Sequence, residues 1–339
     1  MSGGELRVGY DAPFFWAGSK RRVSDVIWQA LGDVDNYVEP FAGSLATLLR
    51  RPEDHKRTIE TVSDLDGFVA NFWRSVKMSP VEVAKWCDYP VSHIDMTVRH
   101  QWLVAQRETL MEQLATSPDW HDPKIAGWWC WGLNMWIGSG WCDAKRPHLS
   151  NGGVGIHATR PHLSNGGQAP TQAEIIHLWM DGLCARLRRV RIVHGSWERV
   201  ASPGSIGPGR ITGVMLDPPY DPKKLAHSGV LYAEHSSSVS AECRDWAIDA
   251  VKSDERMRIV LCGYSDEHVM PDDWRCLSWS SSGMQVSKSG GGSGTTRHKE
   301  RIWLSPSCLE VDLEGTICRL DTEAPPERHA PSQCEFASW

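Results

Sequence analysis

The sequence predicts an α/β fold, a mostly parallel sheet with helices on both faces, divided in two by a helical and loop-rich insert. Three observations carry this. A strand–turn–helix–strand alternation opens the chain, apolar β-branched segments resume after residue 190, and a Trp-rich stretch of different character separates them. Strands alternating with helical patterns are the signature of parallel α/β units. With 41% apolar and 23% charged residues over 339 positions, the chain can bury a large core plus a smaller module.

The first block runs to about residue 85. Asn36 to Phe41 reads as a strand that enters a turn at Gly43 and Ser44, and Leu45 to Arg51 as the start of a helix. Thr58 to Val62 is the next strand, followed by Asp64 and a helix carrying Phe68, Phe72 and Trp73. The insert, residues 86–187, holds helical stretches at Ile94 to Gln113 and Gln172 to Arg189. Strands then follow at Val190 to Val193, Ile211 to Leu216, Arg258 to Cys262, Trp274 to Trp279 and Arg301 to Leu304, within a returning block at 188–310. Residues 311–339 form an acidic Pro/Glu-rich tail whose composition leans to disorder.

Composition narrows the function classes. No window approaches the roughly 18 apolar residues of a membrane span, and the first residues lack a signal-peptide apolar run. A cytoplasmic protein without a membrane partner is expected. The ten cysteines are scattered with no CxxC pair, which favours reduced thiols over a disulfide framework. No spacing fits a zinc site, including that of Cys130 and Cys142 near His148 and His157, so no metal is expected.

The net charge of −6 is unevenly spread, because Lys145, Arg146, Arg160, Arg186, Arg188, Arg189, Arg191, Arg199 and Arg210 crowd one central stretch. A basic middle with an acidic end suits local phosphate binding; solvated helix faces account for it equally well. Within that stretch the segment Arg146 to Gly153 recurs letter for letter from Arg160 to Gly167. Each copy presents Arg, His and Asn, so Lys145, Arg146, His148 and Asn151, with Arg160, His162 and Asn165, are candidate contacts to phosphates or base edges. A duplicated, tolerated surface loop is the competing reading. Lys288, Arg297 and Lys299 flank the glycine-rich stretch 288–294 and are further phosphate candidates, against a plain solvated hairpin tip.

The sharpest signal is Asp217-Pro218-Pro219-Tyr220, directly after the apolar segment that ends at Leu216. Side chains at the carboxyl end of a parallel strand face the ligand crevice, and two prolines end the strand and stiffen the loop. A carboxylate, a backbone carbonyl and an aromatic ring are thereby held together. Asp217 and the Pro218 carbonyl can accept both N–H bonds of an exocyclic amine while Tyr220 stacks on an extruded base. A Pro-rich turn with an incidental Tyr is the blander alternative. Gly43 permits a tight turn and close approach to a ligand. About 20 residues on, Asp64 stands where a carboxylate bridges ribose hydroxyls, a spacing that also suits dinucleotide folds. Residues 127–136 hold Trp128, Trp129, Trp131 and Trp136 on too broad a helical arc for one stripe. They read as the insert's core or as a stacking platform for bases.

On these residues the chain resembles the Dam-type family of N6-adenine DNA methyltransferases. Ala12 to Arg21 is similar to the family's N-terminal segment, Val38 to Ser44 to its first-strand loop, and Ser63 to Asp66 to its acidic second-strand end. Asp217 to Tyr220 matches its catalytic motif. The resemblance implies a Rossmann-like methyltransferase fold, an S-adenosylmethionine cofactor and double-stranded DNA as partner, with the insert as target-recognition module. It implies a cofactor pocket of Tyr10, Trp16, Lys20, Glu39, Pro40, Phe41, Ala42, Gly43, Ser44, Asp64, Leu65, Ser196, Trp197 and Asp217. Catalysis would fall to Asp217, Pro218, Pro219 and Tyr220, the amine of a flipped adenine attacking the sulfonium methyl directly. Two positions depart from the family: Leu45 replaces a second glycine, and Ser196 an acidic residue for which Glu198 is a substitute. N4-cytosine methylation, RNA methylation and a catalytically inert DNA-binding relative stay open at this point.

Overall fold

The computed structural model describes residues 11–16, 18–89, 93–135, 141–142, 172–207, 209–220, 238–264, 267–279 and 300–312. The two copies of the repeat, the stretch 288–294 and the tail from residue 313 lie outside the described residues.

The strands are β1 (Asn36–Glu39), β2 (Ile59–Asp64), β3 (Val190–His194), β4 (Thr212–Leu216), β5 (Met257–Tyr264), β6 (Arg275–Trp279) and β7 (Glu300–Leu304). They form one seven-stranded sheet in the order β3-β2-β1-β4-β5-β7-β6. Pairings from β3 through β5 are parallel, and β7 runs antiparallel to both β5 and β6. The chain winds outward from β1 through β2 to β3, then restarts at β4 on the other side. The carboxyl ends of β1 and β4 thus flank a switch point, where an open α/β sheet offers its ligand crevice.

Every residue of β1 and β4 is buried, as expected of central strands covered on both faces. Alternation sorts their side chains into two cores. Tyr37, Met215, Val260 and Cys262 face one that includes α1 (Ser24–Leu31) and α3 (Gly67–Met78). Val38, Val214, Leu216, Ile259 and Leu261 face the other, with α8 (Pro203–Ile206) and α9 (Val239–Ser253). The α3 start is set by Asp66, whose carboxylate accepts the Phe68 N–H at 2.9 Å, a cap contributing about 1 kcal/mol.

The insert is built of helices. α5 (His93–Thr116), α6 (Pro123–Met135) and α7 (Gln172–Leu187) are joined by α4 (Pro80–Cys87), which the sequence reading did not foresee, as it did not foresee α9. Pro80 at the first helical position starts α4, needing no donor there. Trp129, Trp131, Trp179 and Met180 are buried in the same core as Phe72, Trp73 and Val76 of α3, so these helices pack continuously onto the sheet's first face. Trp129 and Trp131 are core residues. Trp128 is half-buried, with the Lys124 ammonium 4.4 Å and the Arg99 guanidinium 5.0 Å from its ring, while Trp136 lies outside the described residues. No helix among the described residues is long and apolar enough to cross a membrane.

Candidate active site

The site is assembled by the segment that precedes α1. Its Asp11 carbonyl accepts the Trp179 indole N–H of α7 at 2.8 Å, and its Pro13 carbonyl accepts from Asn134 of α6 at 2.9 Å. Phe14 is buried edge-on against Phe72 and Trp129, 5.2 and 5.1 Å between ring centres. These contacts lay Trp16 to Lys20 across the carboxyl ends of the strands. Trp16 sits over Gly43, where an added Cβ would come within 2.5 Å of its Nε1. Ser19 and Ser44 share a hydrogen bond of 3.1 Å, joining the segment to the loop after β1.

That loop is tightly wound. Gly43 has φ +41° and Leu45 φ +51°, both left-handed. Leu45 therefore adopts the conformation a second glycine would supply, and its fully buried side chain anchors the loop beneath α2 (Ala46–Leu49). Asp64, ending β2, accepts the N–H groups of Gly43 and Asp66, each at 2.9 Å, and Trp73 donates to the Gly43 carbonyl at 2.8 Å. Burial, reinforced by Asp66, raises the Asp64 carboxyl to about 7 despite these bonds.

Asp217 follows β4 directly. Its Oδ1 receives the Lys20 ammonium at 2.8 Å and the Tyr220 hydroxyl at 3.1 Å. Lys20 is 3% exposed, donates also to the Gly18 carbonyl at 2.8 Å, and lies 5.3 Å from the centre of the Tyr220 ring. Burial opposes its charge, yet Asp217, Cys262 and Glu300 outweigh that and hold the ammonium above the ordinary lysine range. Tyr264, at the end of β5, meets Tyr220 edge-on at 4.7 Å. The result is a carboxylate fixed by a lysine and walled by two tyrosines at the switch point.

The remaining expected residues are placed unevenly. Glu39 is buried, its Oε2 taken by the Tyr37 hydroxyl at 2.9 Å and the Leu48 N–H at 3.2 Å, and burial pushes its carboxyl up to about 8. Pro40 accepts from Ser63, and Ala42 donates to the Ser63 carbonyl, tying the β1 loop to β2. Phe41 is half-buried against the second core. Leu65 is exposed beside Gly195, whose N–H donates to the Asp64 carbonyl at 3.0 Å. Ser196 and Glu198 are exposed, and Trp197 is buried with Trp246 of α9 at 5.8 Å. Pro218 is buried and Pro219 half-buried. Tyr10 and the expected nucleic-acid contacts Lys145, Arg146, His148, Asn151, Arg160, His162, Asn165, Lys288, Arg297 and Lys299 lie outside the described residues. Sequence reasoning missed Tyr264 and Glu300. Neither belongs to a motif it recognised, and only sheet register brings them to the site.

Residues 16–98 match the model of the D12 class N6 adenine-specific DNA methyltransferase. That family consists of enzymes, adenine-specific DNA methyltransferases, and the match supports adenine methylation as the activity. The strand order and the reversed β7 of this chain agree with a Rossmann-like methyltransferase fold. The match includes Lys20, the β1 loop and Asp64, and it ends before Asp217 to Tyr220. No curated protein matches the chain.

Proposed function

We propose that the chain binds S-adenosylmethionine across the carboxyl ends of β1 and β2, and presents to it the N6 amine of an adenine flipped out of double-stranded DNA. The residues present suit that cofactor. Gly43 turns where no side chain fits beneath Trp16, Asp64 offers a carboxylate to a ribose diol, and Ser19 and Ser44 offer hydroxyls to an amino-acid carboxylate, while Lys20 stays on Asp217. When bound, the cofactor supplies a methyl group on a positively charged sulfur.

The protein's own part is to orient and to polarise. Asp217 keeps Oδ1 on Lys20 and Tyr220 and turns Oδ2 to one amine N–H, while the Pro218 carbonyl takes the other. Tyr220 stacks on the base, with Tyr264 behind it. Both acceptors draw on hydrogens of the amine and so return its lone pair from the ring. Positioning and fixed charge, not a strong base, supply most of the acceleration. The phosphate contacts expected of the repeat belong to this proposal, as does a cytoplasmic location. The observation that carries the reading is Asp217 held at 2.8 Å by a buried lysine at the switch point of the sheet.

The test is to incubate protein, cofactor and unmethylated DNA, digest to nucleosides and identify methylated bases by mass spectrometry. N6-methyladenine, absent with Asp217→Ala, is expected. N4-methylcytosine, or near-normal turnover by Asp217→Ala, would overturn the assignment.

A further inference from the structure

One carboxylate beside the site has no role in the mechanism above. Glu300 opens β7 and stands in register with Tyr264 on one side and Trp279 on the other, at the same sheet end as Asp217. Its Oε2 is fully buried with no hydrogen-bond partner among the described residues, although a buried acceptor left unmatched is costly. Lys20, whose ammonium has three protons, uses one on Asp217 and one on Gly18. The third has no partner among the described residues. Lys20 and Glu300 are not in ion-pair contact, yet each is within the other's electrostatic field.

The charges around this pair define a balance. Lys20 is the cation common to Asp217, Glu300 and Tyr264; Glu267 adds negative charge from the loop after β5, and Cys262 lies below on β5. Burial, opposed by Lys20 and reinforced by Asp217, raises the Glu300 carboxyl above the ordinary range and favours its protonated form while Asp217 is charged. Methyl transfer to a neutral amine leaves a proton to be lost from nitrogen. Asp217, already bonded to that amine, is placed to receive it. Once neutral, Asp217 no longer balances Lys20.

We propose that Glu300 is the second counter-ion of Lys20, a positioning residue that takes the ammonium when Asp217 is neutralised by the proton of the methylated amine. The proton bookkeeping closes. The amine's proton goes to Asp217, Glu300 takes the lysine as a carboxylate, and the proton leaves to solvent when Asp217 recovers Lys20, one per methyl transferred. This rests on the methyl-transfer reading for its purpose, though the lysine exchange itself does not.

Asp217→Asn reproduces the neutralised aspartate without catalysis, so the exchange is testable in the resting full-length protein. Glutamate carboxyl carbons, isotopically labelled, are titrated by NMR in wild type, Asp217→Asn, Lys20→Met and the double variant, with Glu300→Gln identifying the signal. Loss of a neighbouring negative charge lowers the Glu300 midpoint with or without Lys20. The exchange predicts a further fall of at least one pH unit that requires Lys20, read as non-additivity in the cycle. Steady-state methylation supplies the second readout. Glu300→Gln lowers kcat about ten- to a hundredfold, with KM for both substrates unchanged and the pH profile altered; Glu300→Asp restores part of the rate. Additive midpoints, or wild-type kcat and pH profile in Glu300→Gln, overturn the proposal. A Lys20-dependent fall across the variant cycle, beside a wild type that methylates no adenine, upholds the exchange and refutes the methyl-transfer reading instead.

Discussion

At Leu45 the usual ranking of alanine over glycine should reverse. This residue is fully buried yet left-handed, with φ +51° and ψ +28°. Truncation to Ala or Gly empties the same pocket, so both variants lose roughly 2–5 kcal/mol of stability. They differ in the backbone. An L-residue with a Cβ pays about 1–2 kcal/mol in the left-handed region, whereas glycine's excess chain entropy costs about 0.5–1 kcal/mol. Leu45→Gly should therefore be more stable than Leu45→Ala by about 0.5–1 kcal/mol. Urea unfolding followed by circular dichroism reads this difference directly, since the emptied pocket is nearly common to both variants and drops out of the comparison. Leu45→Ala being the more stable by the ordinary margin would refute the left-handed turn at Leu45.

Other expectations follow from the same site. Because the Asp64 carboxyl is raised to about 7, it holds a proton in the free protein below that pH. A ribose diol donates to the charged form, so cofactor affinity should rise up to about tenfold per pH unit below 7 and level off above it. Calorimetry should detect proton release at pH 6 and little at pH 8, and Asp64→Asn should flatten the dependence. The stability consequence has the opposite sign: a carboxyl raised in the fold costs stability as pH climbs from its unfolded value of 3.8 to about 7. Gly43→Ala meets Trp16 at 2.5 Å and a positive φ. A strain of about 1–3 kcal/mol should weaken cofactor binding about ten- to a hundredfold in fluorescence titration, and unchanged affinity would remove the loop from the pocket. Tyr220→Phe deletes the bond to Asp217 but keeps the ring, so kcat should fall only a few-fold. Tyr220→Ala should cost about 1–3 kcal/mol of base stacking as well, and equal rates for the two would argue against stacking.

Local chemistry made much of this protein legible from its sequence. Every strand now in the sheet was visible as a short segment holding apolar, aromatic or β-branched residues and bounded by turn signals. Asp217 to Tyr220, Gly43 and Asp64 were legible because each stands where a strand ends and a turn begins, a boundary that the sequence marks with Pro, Gly or Asp. The helices α4 and α9 were not. α4 spans only eight residues, too few for a helical period to repeat, and α9 buries the small residues Ser240, Cys243 and Ala247, so periodicity alone was weak there.

What only the tertiary structure decided is how distant segments meet. That Lys20 pairs with Asp217 across nearly two hundred positions depends on Phe14, Asn134 and Trp179 holding the N-terminal segment to α3, α6 and α7. No local signal records such packing. That Leu45 turns like a glycine was likewise settled by burial, which repays backbone strain only where a pocket receives the side chain. Glu300 lay in no motif, and strand register alone, pairing it with Tyr264, brought its buried carboxylate into the field of Lys20. Sequence fixes which groups exist and where strands end, because those are properties of neighbouring residues. The charges that share one low-dielectric site are set by the folded sheet.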